Sequence, residues 1–447
     1  AYNGGQGGTV YLLSGTFNIA SSSINLATSS RLIGQGNSTV LRLVDNADLT
    51  SSAGLISANR AHNTYVGHLH LEGNSAQNGP GNHGGIRFDT TSSSTIEQVM
   101  VRDFDDSGFY LASSDNNTLI GNTASNNNNH GFLFDDFNSN TLTANTATNN
   151  SYHGFALADS DNNTLTSNIA TNNNNYGFLL QSSTNNTLTG NTTSNNSIYG
   201  FLLFVSSNNT LTGNTATNNS TQGFRLWASD NNIVTSNTLA DNGGGTNASI
   251  FIEGSNSDDN LISSNNISAT GIAPLIEIEN DATNDRNTLV GNIYQNPDTT
   301  TYVSDGGVDT RYNEWDRTTI TTDDERAYDL FAVTGSSSSS TINVTQLGTG
   351  DIFNFANSAA TVLTLTNTGY LGLGTTSPLA RLTVGSSTLD KLSAAELYRS
   401  AFIAGQLEVD GLSYFDGGFI SVASSTILGG LTVSGNATTT GNLTLGG

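Results

Sequence analysis

The stretch NNTLTGNTATNNSTQGFRLWASD, Asn208–Asp230, decides the fold, because near copies of its 23 residues lie on both sides of it. Glycines stand at Gly85, Gly108, Gly131, Gly154, Gly177, Gly200 and Gly223, each 23 residues from the next. Apolar residues keep the same step at Ile96, Leu119, Leu142, Leu165, Leu188, Leu211 and Val234, and so do Asn122, Asn145, Asn168, Asn191, Asn214 and Asn237. Beyond Val234 the step lengthens, with Ile262 and Leu289 in the equivalent place, as loop insertions of a few residues would produce. Three columns in phase over this distance are the mark of a stacked repeat.

Each unit is too short for a pair of helices, and the Asn, Thr, Ser and Gly that fill it hydrogen-bond their own backbone and favour turns and strands. It holds a Gly-Phe-x-Leu run, a Thr-Leu run and an Asn-Thr-Ala run, with polar corners between them. That is one turn of a parallel β-helix, whose equivalent strands stack about 4.8 Å apart. Alternation points Phe132, Phe155, Phe178, Phe201 and Phe224 inward, together with Phe134, Leu157, Leu180, Leu203 and Leu226 two residues on. The column from Asn122 is expected to point in at a corner, each amide bonding the next. The fold class is therefore all-β: a right-handed parallel β-helix of 23-residue coils, followed by a small β-rich, fibre-like C-terminal region.

The segments GGTVYLLSGTFNI (Gly7–Ile19) and RLIGQGNSTVLRL (Arg31–Leu43) resemble the entry coils of pectin-lyase-like proteins and phage tailspikes. The NNTLxxNxAxNN-GF units resemble the NosD-type right-handed parallel β-helix repeat. The resemblance covers about residues 1–300 and implies the fold. It implies no single activity, because this fold carries lyases, hydrolases, adhesins and inert spacers.

Three regions follow: the β-helix over 1–300, a charged and aromatic cap or transition with a Ser-rich linker over 301–349, and the fibre-like region over 350–447. In the last, GLGTTSP (Gly372–Pro378) resembles a segment that recurs in phage tail fibres and large bacterial surface proteins. Residues 387–404 form the one plausible helix. The strands around it are short and poor in large residues, so they are expected to share a core with other copies.

With 37 acidic residues against 13 Lys and Arg, and a net charge of −24, the chain has no basic footprint for nucleic acid or anionic lipid. Lys391 is the only lysine, and the shortage of tryptic sites suits life outside a cell. Cysteine is absent, which excludes disulfides and thiolate sites, and no apolar run is long enough to span a membrane. The first residues carry no signal-peptide pattern, so the chain is taken as processed or as a segment of a longer one.

Candidate chemistry is sparse. The resemblance implies, for lyases, clustered Asp ligands for Ca²⁺ with an Arg base, and for hydrolases, Asp residues with His and Lys. Asp103, Asp105 and Asp106 form the nearest such cluster, a candidate Ca²⁺ site one coil from His83, Arg87 and Asp89, but Asp103 shares a column with corner residues Asn126 and Asn149. No catalytic residue is assigned, and no cofactor other than this Ca²⁺. His130, His153, Tyr176 and Tyr199, continued by Gln222, form an edge column that either binds sugar rings or covers a corner. Leu133, Leu179 and Leu202 lie in an outward column rimmed by Arg87 and Arg225, with Phe204 and Trp227 beside it, and mark a candidate protein interface.

The expected function is that of an extracellular, cell-surface structural or adhesive protein. It would be a subunit of a filament, fibre or tailspike-like appendage, self-associating as a homotrimer or head to tail, with a surface polysaccharide as possible ligand. The rival is a carbohydrate-binding or carbohydrate-cleaving β-helix. A copper accessory role is disfavoured by zero Cys, one Met and scattered His.

Overall fold

The computed structural model describes residues 7–313 except 48, 50–53, 77, 79–82, 255–256, 280–285, 297–301 and 307–309. It also describes 321–322, 353–356, 361–373, 376–377, 382–384 and 434–435. Two compact units emerge, Ala1–Tyr328 and Asp329–Gly447.

The first unit is a parallel β-helix. A thirteen-stranded parallel sheet runs from Ile24–Leu26 to Thr321–Thr322 and contains every Gly-Phe-x-Leu strand. The Thr-Leu and Thr-Ala strands stack in two further parallel ladders, which merge where Tyr65–Glu72 and Thr95–Arg102 run through both. Register is kept residue on residue at the 23-residue step, as in Phe132↔Phe155 and Leu142↔Leu165. The helix also outruns the boundary expected near 300, because Val303–Asp305, Arg311–Asn313 and Thr321–Thr322 still pair in parallel with the coils before them.

The interior is a column of flat-stacked rings. Phe109, Phe132, Phe155, Phe178, Phe201 and Phe224 stack face to face with centroids 4.5–5.0 Å apart. Leu and Ala columns from the other two ladders close the core, all fully buried. The Gly column is required by close approach. A Cβ at Gly131 would stand 2.8 Å from Ala147 Cβ and 2.9 Å from Asn150 Nδ2. The Ala and Asn columns thus fill the space that a side chain there would need.

The corners contain three asparagine ladders where the sequence suggested one. Besides the column from Asn122, the columns from Asn117 and Asn127 are buried and bonded in the same way. Asn145 shows the pattern. Its Nδ2 donates to Asn168 Oδ1 (3.0 Å) and Leu119 O (2.9 Å), while its Oδ1 accepts from the Asn122 backbone N–H and Nδ2. All four hydrogen-bonding positions of the amide are used, so the buried group has no unmet need. A parallel serine ladder, Ser160, Ser183, Ser206 and Ser229, takes the same part beside the Phe sheet. The ladders persist through the lengthened coils, from Asn237 to Asn265 and on to Asn292. The extra residues are taken up at corners such as the short 3₁₀ turn Gly243–Gly245.

Corner residues outside the ladders adopt left-handed backbone angles, which suit Gly, Asn and Asp. Val205 is the misfit: it sits at φ 53° with a β-branched side chain that is 49% exposed. Its column neighbours Asp159 and Ser182 make the same turn with smaller residues. Val205→Asn should therefore stabilise the chain by about 1 kcal/mol, read as a rise in thermal midpoint. An unchanged or lower midpoint would show that the angle carries no strain.

The second unit contains a four-stranded sheet of Phe353–Ala356, Thr361–Leu365, Leu371–Leu373 and Leu382–Val384. The first three strands pair antiparallel and the last pairs parallel. Gly372, at the head of the GLGTTSP segment, lies inside the third strand. The helix expected over 387–404 falls outside the described residues. No helix among the described residues is long and apolar enough to cross a membrane.

Candidate functional site

The outward face of the Phe sheet holds most of the residues singled out by sequence. Strand alternation that buries Phe132 and Phe134 turns Leu133 and Asp135 outward, and the stacked register repeats this on every rung. Just before each strand, the His/Tyr column forms a continuous stack. His130 and His153 lie 5.0 Å apart between centroids, His153 and Tyr176 4.4 Å, and Tyr176 and Tyr199 4.9 Å. His153, Tyr176 and Tyr199 stack face to face, while His130 is tilted 35° to His153. Tyr152, not singled out by sequence because it lies off the column, packs against both histidines. Its own rung equivalents, Asn175 and Ile198, give no aromatic signal.

Burial governs the histidines. His130 is held down to about 4, by burial first, with nearby Asp106 opposing. His153 is held down to about 2, by burial and then by His130. Both are neutral imidazoles at neutral pH, and His153 Nδ1 accepts the Tyr176 backbone N–H at 3.3 Å.

The stack ends at Arg225. Its guanidinium bonds the Tyr199 hydroxyl and Glu253 and lies over the rings of Tyr199 and Trp227, 4.8 and 4.9 Å from their centroids. Burial lifts the Glu253 carboxyl above its ordinary value although Arg225 opposes the shift. Sequence spacing missed Glu253 because the inserted residues displace it from the 23-residue step.

The apolar stripe is narrower than the sequence suggested. Leu133 and Leu179 are half-buried, but Leu202 is only 4% exposed within the chain itself. The bond from Arg225 to Tyr199 draws the guanidinium down onto the rung that carries Leu202. Trp227 is 40% exposed and meets Phe204 edge to face at 5.2 Å. Of the residues read as a candidate interface, Leu133, Leu179 and Phe204 are half-buried and Trp227 is exposed, whereas Leu202 is buried within the chain.

The three aspartates part company. Asp103 lies 3.5 Å from the Arg102 guanidinium, Asp105 pairs with His83 at 3.2 Å, and Asp106 accepts from Asn129 at 2.9 Å. Ca²⁺ needs six or more converging oxygens. Among the described residues no group of three or more His, Asp or Glu is placed to hold a metal ion. At the near end of the Phe sheet, however, Tyr110 gathers charge around it. Arg87 lies 4.6 Å over its ring and binds Asp89 through two hydrogen bonds of 2.9 and 3.2 Å. Burial, then the charges of Asp135, Asp89 and Asp106, raise the Tyr110 hydroxyl above its ordinary value.

Fold and ladders together define a parallel β-helix solenoid of the pectin-lyase-like kind. A family model described as periplasmic copper-binding protein (NosD) matches residues 17–198 and 170–325, and the chain belongs to that family. No curated protein sequence matches it. Among solved structures it is similar to the A-module of Azotobacter vinelandii mannuronan C-5 epimerase AlgE6. That match has 21% identity, covers 68% of this chain and 91% of the other, and has a TM-score of 0.58. The AlgE4 A-module of the same organism gives 22%, 70%, 91% and 0.54. At these identities the likeness is one of fold.

The copper in the family's description can be tested against the residues. Copper is held by thiolate, thioether and imidazole ligands. The chain has no Cys and one Met, Met100, which pairs in register with His70. Yet Arg102 donates to His70 Nε2 at 3.0 Å, and burial, then Arg102, lowers the His70 pKa. A guanidinium thus occupies the nitrogen that a metal would need. The described residues do not fit a copper site.

Proposed function

We propose that the chain works outside the cytoplasm as a rigid structural and adhesive rod, a subunit of a filament, fibre or tailspike-like appendage. One observation carries this: stacking and hydrogen bonding run unbroken through successive rungs from Phe109 to Ala240, with polar groups spent on neighbouring coils. Rung ends left uncapped and the short C-terminal strands would supply the means of assembly, as trimers or head to tail. The periplasmic description of the family and the shortage of lysine support the location. Negative-stain images and sedimentation of the purified chain should show elongated particles joined in trimers or strings. A monodisperse monomer at high concentration would overturn the assembly.

A second reading, binding or cleavage of an acidic polysaccharide, is favoured by the cluster of Tyr110, Arg87 and carboxylates alone. Arg87 could neutralise a uronate and Tyr110 could exchange a proton with the sugar. Incubation with acidic polysaccharides, with and without Ca²⁺, should then yield unsaturated or reducing ends that Tyr110→Phe abolishes. A wild-type chain that gives no product and is not retained on the immobilised polysaccharide would remove this reading.

A further inference from the structure

The strands Thr141–Thr143, Thr164–Thr166, Thr187–Thr189 and Thr210–Thr212 each read Thr-Leu-Thr and lie in exact parallel register. Their leucines are fully buried, so both threonines of every strand face out. The result is a rectangular lattice two threonines wide. Its spacing is about 4.8 Å between rungs and about 6.6 Å along a strand. Thr118 extends one column and Thr235 the other.

Three properties set this face apart from an ordinary solvated sheet. It carries no charged side chain over these four rungs. None of its eight hydroxyls hydrogen-bonds within the described residues, although Thr171 and Ser194 on the adjoining face do bond each other. The floor is also rigid. Each strand lies between two asparagine ladders, Asn163 and Asn168 bracketing Thr164–Thr166 for example, and threonine is stiff at χ1. Methyls and hydroxyls therefore repeat at fixed positions in two directions.

We propose that this face binds ice. The rung repeat lies close to an oxygen repeat of the hexagonal ice lattice, and with only two columns the face needs to match ice over distance in that one direction. Water held between fixed methyls and bonded to fixed hydroxyls would be ordered in ice-like positions and could join a growing crystal. Charged groups would order water in other geometries, and their absence here is what such a face requires. The proposal does not depend on the rod's assembly or on any chemistry at Tyr110.

The test uses the purified full chain in ice-recrystallisation and thermal-hysteresis measurements. Wild type should arrest recrystallisation at micromolar concentration and shape the crystals. The double variant Thr166→Lys, Thr189→Lys places two charges in the lattice and should be about tenfold weaker. Gln181→Lys, exposed on the Phe sheet, should match wild type, and circular dichroism melts identify any variant that fails to fold. Wild type without effect on ice would overturn the proposal, as would a folded double variant of full potency. So would retention on crystalline cellulose with ice growth unchanged.

Discussion

Asn168→Ala should lower the unfolding free energy by about 4 kcal/mol, while Asn174→Ala, six residues on and exposed, should change it by less than about 0.5 kcal/mol. The side chain of Asn168 accepts both the Asn145 backbone N–H at 2.9 Å and Asn145 Nδ2 at 3.0 Å. It donates to Leu142 O and Asn191 Oδ1. Truncation leaves two donors of Asn145 without a partner in a dry interior, each costing about 1–3 kcal/mol. The two acceptors lose less: Asn191 Oδ1 keeps the Asn168 backbone N–H at 2.8 Å. Urea melts give the total. Hydrogen exchange at the Asn145 amide shows where it falls, which matters because solenoids can open locally. If Asn168→Ala and Asn174→Ala melt within about 1 kcal/mol of each other, the ladder is not what holds the rungs.

The contrast between those two asparagines shows what a sequence of this kind reveals and what it hides. A fixed period makes columns visible, because each rung meets the same surroundings. Hence the Phe stack, the Leu column and the ladder from Asn122 were all legible. The ladders from Asn117 and Asn127 were not, although they use the same residue. In each NN corner one asparagine takes the left-handed turn at the surface and the next is buried, as with Asn162 at φ 60° and Asn163. Composition cannot tell the two apart; only the path of the backbone can. The site was legible in part for a related reason. The His/Tyr column keeps the period and was found, whereas Tyr152 and Glu253 act from off-period positions. Leu202 was misjudged as open because alternation assigns a face but says nothing of a long side chain that reaches back across it.

Acidification should weaken the β-helix through the buried histidine pair. His153 is held at about 2 and His130 at about 4, against an ordinary value of 6.5. Below pH 6.5 the unfolded chain takes up two protons that the folded chain refuses, so stability falls as pH falls, until His130 titrates near 4 and His153 near 2. At pH 5 the solution lies about 1.5 pH units below the unfolded value while both folded histidines remain neutral, a loss of about 2 kcal/mol apiece and about 4 kcal/mol together. The surroundings do not rescue the charge: Tyr152 and Tyr176 pack on His153, and Asp106 offers His130 only partial help. Carboxylates titrate in the same range, and relief of the net charge of −24 acts in the opposite sense. The comparison must therefore be with His130→Tyr, His153→Tyr, which keeps the aromatic stack, already tyrosine on the next two rungs, and removes the titration. Between pH 7.5 and 5 the wild type should lose about 4 kcal/mol more than this variant in urea melts. Parallel pH curves for the two would mean that the histidines open to water below pH 6 without strain on the coils. The stack would then be a surface covering, not part of the structure's core.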